Sequence, residues 1–173
     1  MKRISMYVAT VPVFIRSLEA MRGILTKAEA FAIEKKIDEN ILLQARLAVD
    51  MFPFVKQVQV VCDNAKGTAA RIAGIEAPKF EDNEKTLLEL KERIEKTLVF
   101  LCTLKEEQFV ESEERKVPIY FMPGKYLLGL EYLTDMALPN FYFHLTTAYD
   151  ILRHFGLNIG KADYIGQVQF KDE

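Results

Sequence analysis

Leu138-Pro-Asn-Phe-Tyr-Phe-His-Leu-Thr-Thr-Ala-Tyr-Asp-Ile-Leu-Arg-His-Phe155 is the longest aromatic-rich helical pattern in the chain, and it holds both histidines. With successive residues turned by about 100°, Ala137, Phe141, His144, Ala148, Ile151 and Phe155 share one stripe. Leu138, Tyr142, Leu145, Tyr149 and Leu152 form the stripe beside it. Together they make an apolar face wider than about 100°, the mark of a helix that faces a core. Phe143, Thr147, Asp150 and His154 are expected on the opposite side. His144 is therefore predicted to point inward and His154 outward. Asn140 stands one turn before His144 on nearly the same face. Pro139 is expected to start or kink the helix, because proline is tolerated in a first turn and disrupts an interior one.

Working outward from this helix, the rest of the chain supplies three further long helical patterns. Ser5 can cap a first helix over residues 5–34, with Val8, Val11, Ile15, Leu18 and Leu25 inward and Pro12 bending it. A short turn over residues 41–46 leads to Asp50-Met-Phe-Pro53, read as the cap and first turn of a second helix over residues 51–73 that ends at Gly74. Its predicted buried face is Met51, Phe54, Val55, Val58, Val61, Cys62, Ala65, Ala69 and Ile72, with Gln57 at the edge, seven residues after Asp50. A third helix over residues 83–105, capped by Asp82 or Asn83, carries a narrow stripe of Leu87, Leu90, Ile94, Leu98, Leu101 and Leu104. Its other face, from Glu84 to Lys96, reads as solvated and ion-paired. The fourth helix spans residues 130–155.

Between the third and fourth helices, residues 105–116 read as a charged loop. Val117-Pro-Ile-Tyr-Phe121 and Lys125-Tyr-Leu-Leu128 flank Pro123-Gly124 as a small β-hairpin. The tail from Gly156 shows no helical period and is expected to lie along the surface. The fold predicted is all-α: an up-down four-helix bundle, one domain over residues 1–173, with one small β-hairpin before the last helix.

Composition narrows the function. The chain has 173 residues, half of them hydrophobic and 28% charged, as in ordinary globular domains. Lys plus Arg number 23 against 25 Asp plus Glu, so no basic excess points to nucleic acid. No run approaches the roughly 18 apolar residues of a membrane span. Met1-Lys-Arg precedes an apolar run, but Ser5, Thr10 and Pro12 interrupt it and no small-residue cleavage site follows, so it does not read as a signal peptide. Cys62 and Cys102 have no metal-like spacing and read as reduced, buried thiols of a cytoplasmic protein. Gly156-Leu-Asn-Ile-Gly-Lys161 fails as a phosphate loop: it is one residue short, Ala162 stands where Ser or Thr is needed, and a helix precedes it.

Several long motifs carry a family resemblance. Ala45-Arg-Leu-Ala-Val-Asp-Met-Phe-Pro53, Gln57-Val-Gln59, Asp63-Asn-Ala-Lys-Gly67, Ala70-Arg-Ile-Ala-Gly74 and Leu138-Pro-Asn-Phe-Tyr-Phe-His144 resemble an uncharacterised bacterial and fungal family of DinB/YfiT-like proteins. The resemblance runs from Ser5 to Lys161. It implies the four-helix bundle and, from the wider superfamily, a divalent metal held by one histidine of the second helix and an H-x3-H pair on the fourth, with thiol transfer in some members. In this chain His144 matches the second histidine of that pair, Asn140 stands in place of the first, and the second-helix position falls near Gln57 or Asp50. With one imidazole left, zinc or nickel is disfavoured, and no cofactor is predicted.

Two functions stay open. One is a small-molecule enzyme or binder, with His144 as the catalytic residue and Asp50, Gln57, Asn140 and Tyr149 lining the pocket. The other is a non-catalytic homodimeric bundle whose polar centre only fixes helix register. A homodimer is expected in either case, from the habit of DinB-like bundles and from the wide apolar faces of the first and fourth helices.

Overall fold

The computed structural model describes residues 4–171, and the structural statements below concern those residues; Met1-Lys-Arg, weighed above as a leader, lies outside them. Four long helical segments form the body: α1 (Met6–Lys35), α3 (Phe54–Ala73), α4 (Leu87–Thr103) and α6 (Leu138–His154). Short helices α2 (Glu39–Leu43), α5 (Gly129–Glu131) and α7 (Lys161–Ile165) lie between and after them. Strands β1 (Lys116–Pro118) and β2 (Tyr126–Leu128) pair antiparallel, with Val117 opposite Leu127. The hairpin turns through Pro123-Gly124, where Gly124 takes φ +79°.

Around the bundle, α1 packs on α4, α4 on α3, α3 on α6 and α6 back on α1. Side-chain bonds give the helix directions. Arg22 bonds Glu95 and Lys91 bonds Glu29, so α1 and α4 are antiparallel. Gln57 bonds His144 and Thr68 bonds Tyr132, so α3 and residues 129–154 are antiparallel too. The core between them is apolar and sealed, with Phe14, Phe54, Phe141, Leu18, Met21 and Ile72 among its largest side chains. Phe14 and Phe141 meet at 4.7 Å between ring centroids. No helix among the described residues is long and apolar enough to cross a membrane.

The boundaries depart from expectation where capping chemistry was misassigned. Ser5 does cap α1, accepting from the Val8 N–H at 3.2 Å. Asp50 does not cap α3: it lies exposed in a turn, and the helix starts three residues later, with Pro53 in the N-cap position. Neither Asp82 nor Asn83 caps α4. Thr86 and Glu89 form a reciprocal capping box there, which satisfies two orphan backbone donors. Pro139 stands in the first turn of α6, as expected of a helix start, and the chain is nevertheless helical before it. The turn before it, Tyr132–Ala137, is a π-turn in which the Leu138 N–H reaches back to Leu133 O. That extra residue moves the preceding carbonyls clear of the proline ring, and the chain continues helically through it. Val8, expected inward, is exposed because α1 turns Met6, Thr10, Val11, Phe14 and Ser17 to the core instead.

Residues 105–116 are more ordered than a charged loop suggests. Two 3₁₀ turns, Glu106–Phe109 and Ser112–Glu114, bury Phe109 and Ser112. The tail contains α7, which packs on α1, with Lys27 donating to Asp163 at 2.6 Å. Cys102 is exposed, against the expectation of a buried thiol, while Cys62 is sealed and its thiol pushed up to about 12 by burial.

One buried ion cluster had no place in the sequence reading. Arg93 of α4 is 1% exposed. Its guanidinium donates to Glu84 and Asp63 at 2.8 Å, to the Glu81 carbonyl at 3.0 Å, and pairs with Asp82 at 2.9 Å. Lys56 pairs with Asp82 as well, and the Gln59 amide donates to Glu84 at 2.8 Å. Residues 80–84 of the α3–α4 connection are thus clamped onto both helices by one side chain.

Candidate functional site

The motif Ala45–Pro53 builds the loop over His144. The Arg46 guanidinium donates to Met51 O at 2.6 Å, and the Phe54 N–H donates to Ala45 O at 2.9 Å, which closes the loop on itself. This fixes the carbonyl of Phe52, which accepts from the Gln57 amide nitrogen at 3.0 Å. Because a carbonyl can only accept, the Gln57 NH₂ must face Phe52 and its Oε1 must face the imidazole. His144 Nδ1 lies 2.7 Å from that oxygen. An amide oxygen has no proton to give, so Nδ1 carries the proton and donates. The neutral tautomer is therefore set by a carbonyl two residues outside α3, relayed through Gln57.

His144 is 8% exposed, and burial lowers its pKa below the ordinary histidine value. At neutral pH it is an uncharged imidazole whose second nitrogen, Nε2, bears a lone pair. Among the described residues Nε2 has no hydrogen-bond partner, and it is not sealed from solvent. Phe52 lies nearly parallel to the imidazole, with ring centroids 6.3 Å apart and 18° between planes. Phe143 meets it edge-on at 5.1 Å and 87°. Both phenyl rings are about half exposed. The arrangement is a neutral base held at one nitrogen, open at the other, and flanked by two aromatic surfaces.

Of the residues expected around His144, Gln57 alone is hydrogen-bonded to it among the described residues. Asn140 and Asp50 are exposed, and no hydrogen bond joins either to His144. Tyr149 is half-buried and turned toward the C-terminal segment, where its hydroxyl donates to Ile159 O at 3.4 Å and its ring meets Tyr164. Thr147, expected outside, is buried and donates to Phe143 O at 2.7 Å, while Tyr142, expected inside, is 37% exposed. His154 is exposed as predicted. Phe52 and Phe143 were missed. The dipeptide Phe52-Pro53 ahead of a helix, five residues before Gln57, was the signal available for the first of them.

The donors present do not fit the divalent metal that the family resemblance implies. A stable first-row site wants three or more N, O or S donors. Here one imidazole nitrogen is free, the Gln57 oxygen is spent on Nδ1–H, and Asn140 replaces the other histidine. Among the described residues no three His, Cys, Asp or Glu side chains are grouped to hold an ion.

Comparison with known proteins gives one family and several solved structures. Residues 6–165 match the family model described as Domain of unknown function (DUF1993). The crystal structure of a DinB family member protein from Shewanella denitrificans is 44% identical, with a TM-score of 0.93 over 96% of this chain and 95% of that one. No curated protein matches.

Proposed function

We propose that this chain, which belongs to the uncharacterised DinB-like family Domain of unknown function (DUF1993), binds a small molecule at His144 and uses that imidazole as a metal-free base. The observation that carries this reading is the half-made hydrogen bonding of the ring. A histidine enclosed in a core has both nitrogens satisfied by protein neighbours, whereas here Gln57 takes Nδ1–H and Nε2 is left as an acceptor that a ligand can reach. A ligand with a hydroxyl, thiol or N–H group would give its proton to Nε2 and lay an apolar body against Phe52 and Phe143. Gln57 keeps the ring oriented and favours the tautomer a base needs. We place the protein in the cytoplasm on its cysteine chemistry.

A second reading has its own support. The Gln57–His144 bond ties α3 to α6, so it also fixes their register, and Val8, Tyr142 and Phe143 stay exposed on α1 and α6 as faces for a second copy. On that reading the chain is a non-catalytic homodimeric bundle.

A thermal-shift screen of small polar-headed aromatics separates the two, run on the wild type and on His144→Phe, which keeps a ring but removes Nε2. The expected result is a set of ligands that raise the wild-type midpoint, by about 2.7 kcal/mol of stabilisation at a hundredfold excess over Kd, and lose the effect in the variant. Ligands that act equally on both proteins would remove His144 from the site. No stabilising ligand, together with a ~40 kDa species in sedimentation set by twice the 19.9 kDa chain, would favour the dimeric reading.

A further inference from the structure

A cleft that His144 does not line lies where the end of α1 meets the start of α4. Its volume is about 570 Å³, within the roughly 300–1,000 Å³ typical of small-molecule sites. Ala32, Ile33, Ile37 and Leu88 give it an apolar wall. Ile33 is 78% exposed and Leu88 56%, so both leave most of their apolar surface to solvent. Three charged side chains line it. Glu29 is held by Lys91 at 2.5 Å, and Glu39 accepts from the Leu87 N–H at 3.0 Å. The third, Lys36, has no ion-pair partner among the described residues.

Lys36 also sits where a lysine is strained. It ends α1 in the left-handed region, φ 54° and ψ 41°, with its N–H bonded to Ala32 O and Ile33 O. Glycine is the residue that fits this position without strain. A lysine there gives up stability and presents one unpaired cation to the apolar cleft, while the N-terminus of α4, the cleft's other element, is already met by Glu39 and by the Thr86–Glu89 capping box.

We propose that this cleft binds a small amphipathic carboxylate, with its alkyl body against Ala32, Ile33, Ile37 and Leu88 and its carboxylate on the Lys36 ammonium. This site is independent of His144, and its failure would leave the reading of His144 intact.

The test is a titration of ¹⁵N-labelled full chain with octanoate, octanol and octylamine, followed by amide shifts. Octanoate is expected to give saturable shifts confined to residues 29–39 and 86–88, and to bind more tightly than octylamine. Lys36→Gln keeps the strain but removes the charge, and should weaken octanoate about fivefold while leaving octanol unchanged. Leu88→Asp, at an exposed position, should abolish binding. Lys36→Gly should raise the unfolding midpoint by about 2–4 °C and weaken octanoate as Lys36→Gln does. Equal binding of all three head groups, no saturable shift, or shifts of the same amides on raising protein concentration alone would each overturn the proposal, the last by showing a contact between copies.

Discussion

Gly129→Ala is expected to destabilise the protein by about 3 kcal/mol, although alanine is the better helix former by about 1 kcal/mol. Gly129 opens the segment that becomes the last helix, directly after β2, and it is buried against the 3₁₀ turn Ser112–Glu114. A Cβ at this position would overlap the Ser112 carbonyl oxygen and sit 3.1 Å from the Ser112 carbonyl carbon. Both are backbone atoms, and the turn cannot yield easily because the Ser112 hydroxyl is itself tied to Phe109 O at 2.7 Å. Gly67 is the internal control. A Cβ there meets only the guanidinium end of the Arg71 side chain, at 2.8 Å, and displaces at most its bond to the Tyr132 hydroxyl, so Gly67→Ala should cost about 1 kcal/mol or less. Urea denaturation of the two variants checks the contrast. A neutral Gly129→Ala would mean that the approach of the two segments is looser than described.

Arg93→Met should cost about 3 kcal/mol, the lower end for breaking a buried ion cluster by removing one partner. The lower end applies because Asp63 and Asp82 are 40% and 36% exposed and can rehydrate, whereas the Glu84 side chain is 9% exposed and cannot. The loss should be concentrated in residues 80–84, where the clamp acts on both the Glu81 carbonyl and the acidic side chains. Hydrogen exchange should therefore quicken in the α3–α4 connection more than in α6. Arg93→Lys should recover part of the stability, since it restores the charge but not the planar fork that reaches several oxygens at once. A loss below about 1 kcal/mol, the value of an exposed pair, would show that the cluster is hydrated and does not clamp the connection.

The bundle was legible because long helices bury periodic stripes, and period survives local errors. The stripe from Leu87 to Leu104 and the inward face of α3 are buried nearly as read. What failed was chemistry that depends on neighbours brought in from elsewhere in the chain. Asp50-x-x-Pro53 has the spacing of a helix start, yet the loop from Ala45 is pinned by Arg46 and hands the N-cap position to Pro53. Asn140 has the helical phase of a buried residue, between Ile151 and Thr147, yet it is exposed because it stands in the first turn of α6, beside Pro139, where that face is not covered. Arg93 was readable in part, since it falls between Leu90 and Thr97 on the buried side of α4. A charge in that phase needs acids, and Asp63, Asp82 and Glu84 supply them. The tautomer of His144 was not readable at all, because it depends on the carbonyl of Phe52, and a carbonyl has no identity in a sequence.

That tautomer is also where the functional reading is most exposed to test. Two-dimensional ¹⁵N NMR of the imidazole across a pH titration reads both ring nitrogens of His144 and its pKa together. The structure predicts a protonated Nδ1 and a bare Nε2 at neutral pH, with a pKa below the ordinary value of about 6.5 because burial disfavours the charged ring. The unfolded chain would then take up its proton first as pH falls. Stability from this group is full above about pH 6.5 and declines from there toward the folded pKa. Gln57→Leu should free the ring and let the Nε2–H form appear. A proton on Nε2 in the wild type, or a pKa at or above the ordinary value, would contradict the relay from Phe52 through Gln57 and with it the assignment of His144 as a poised base.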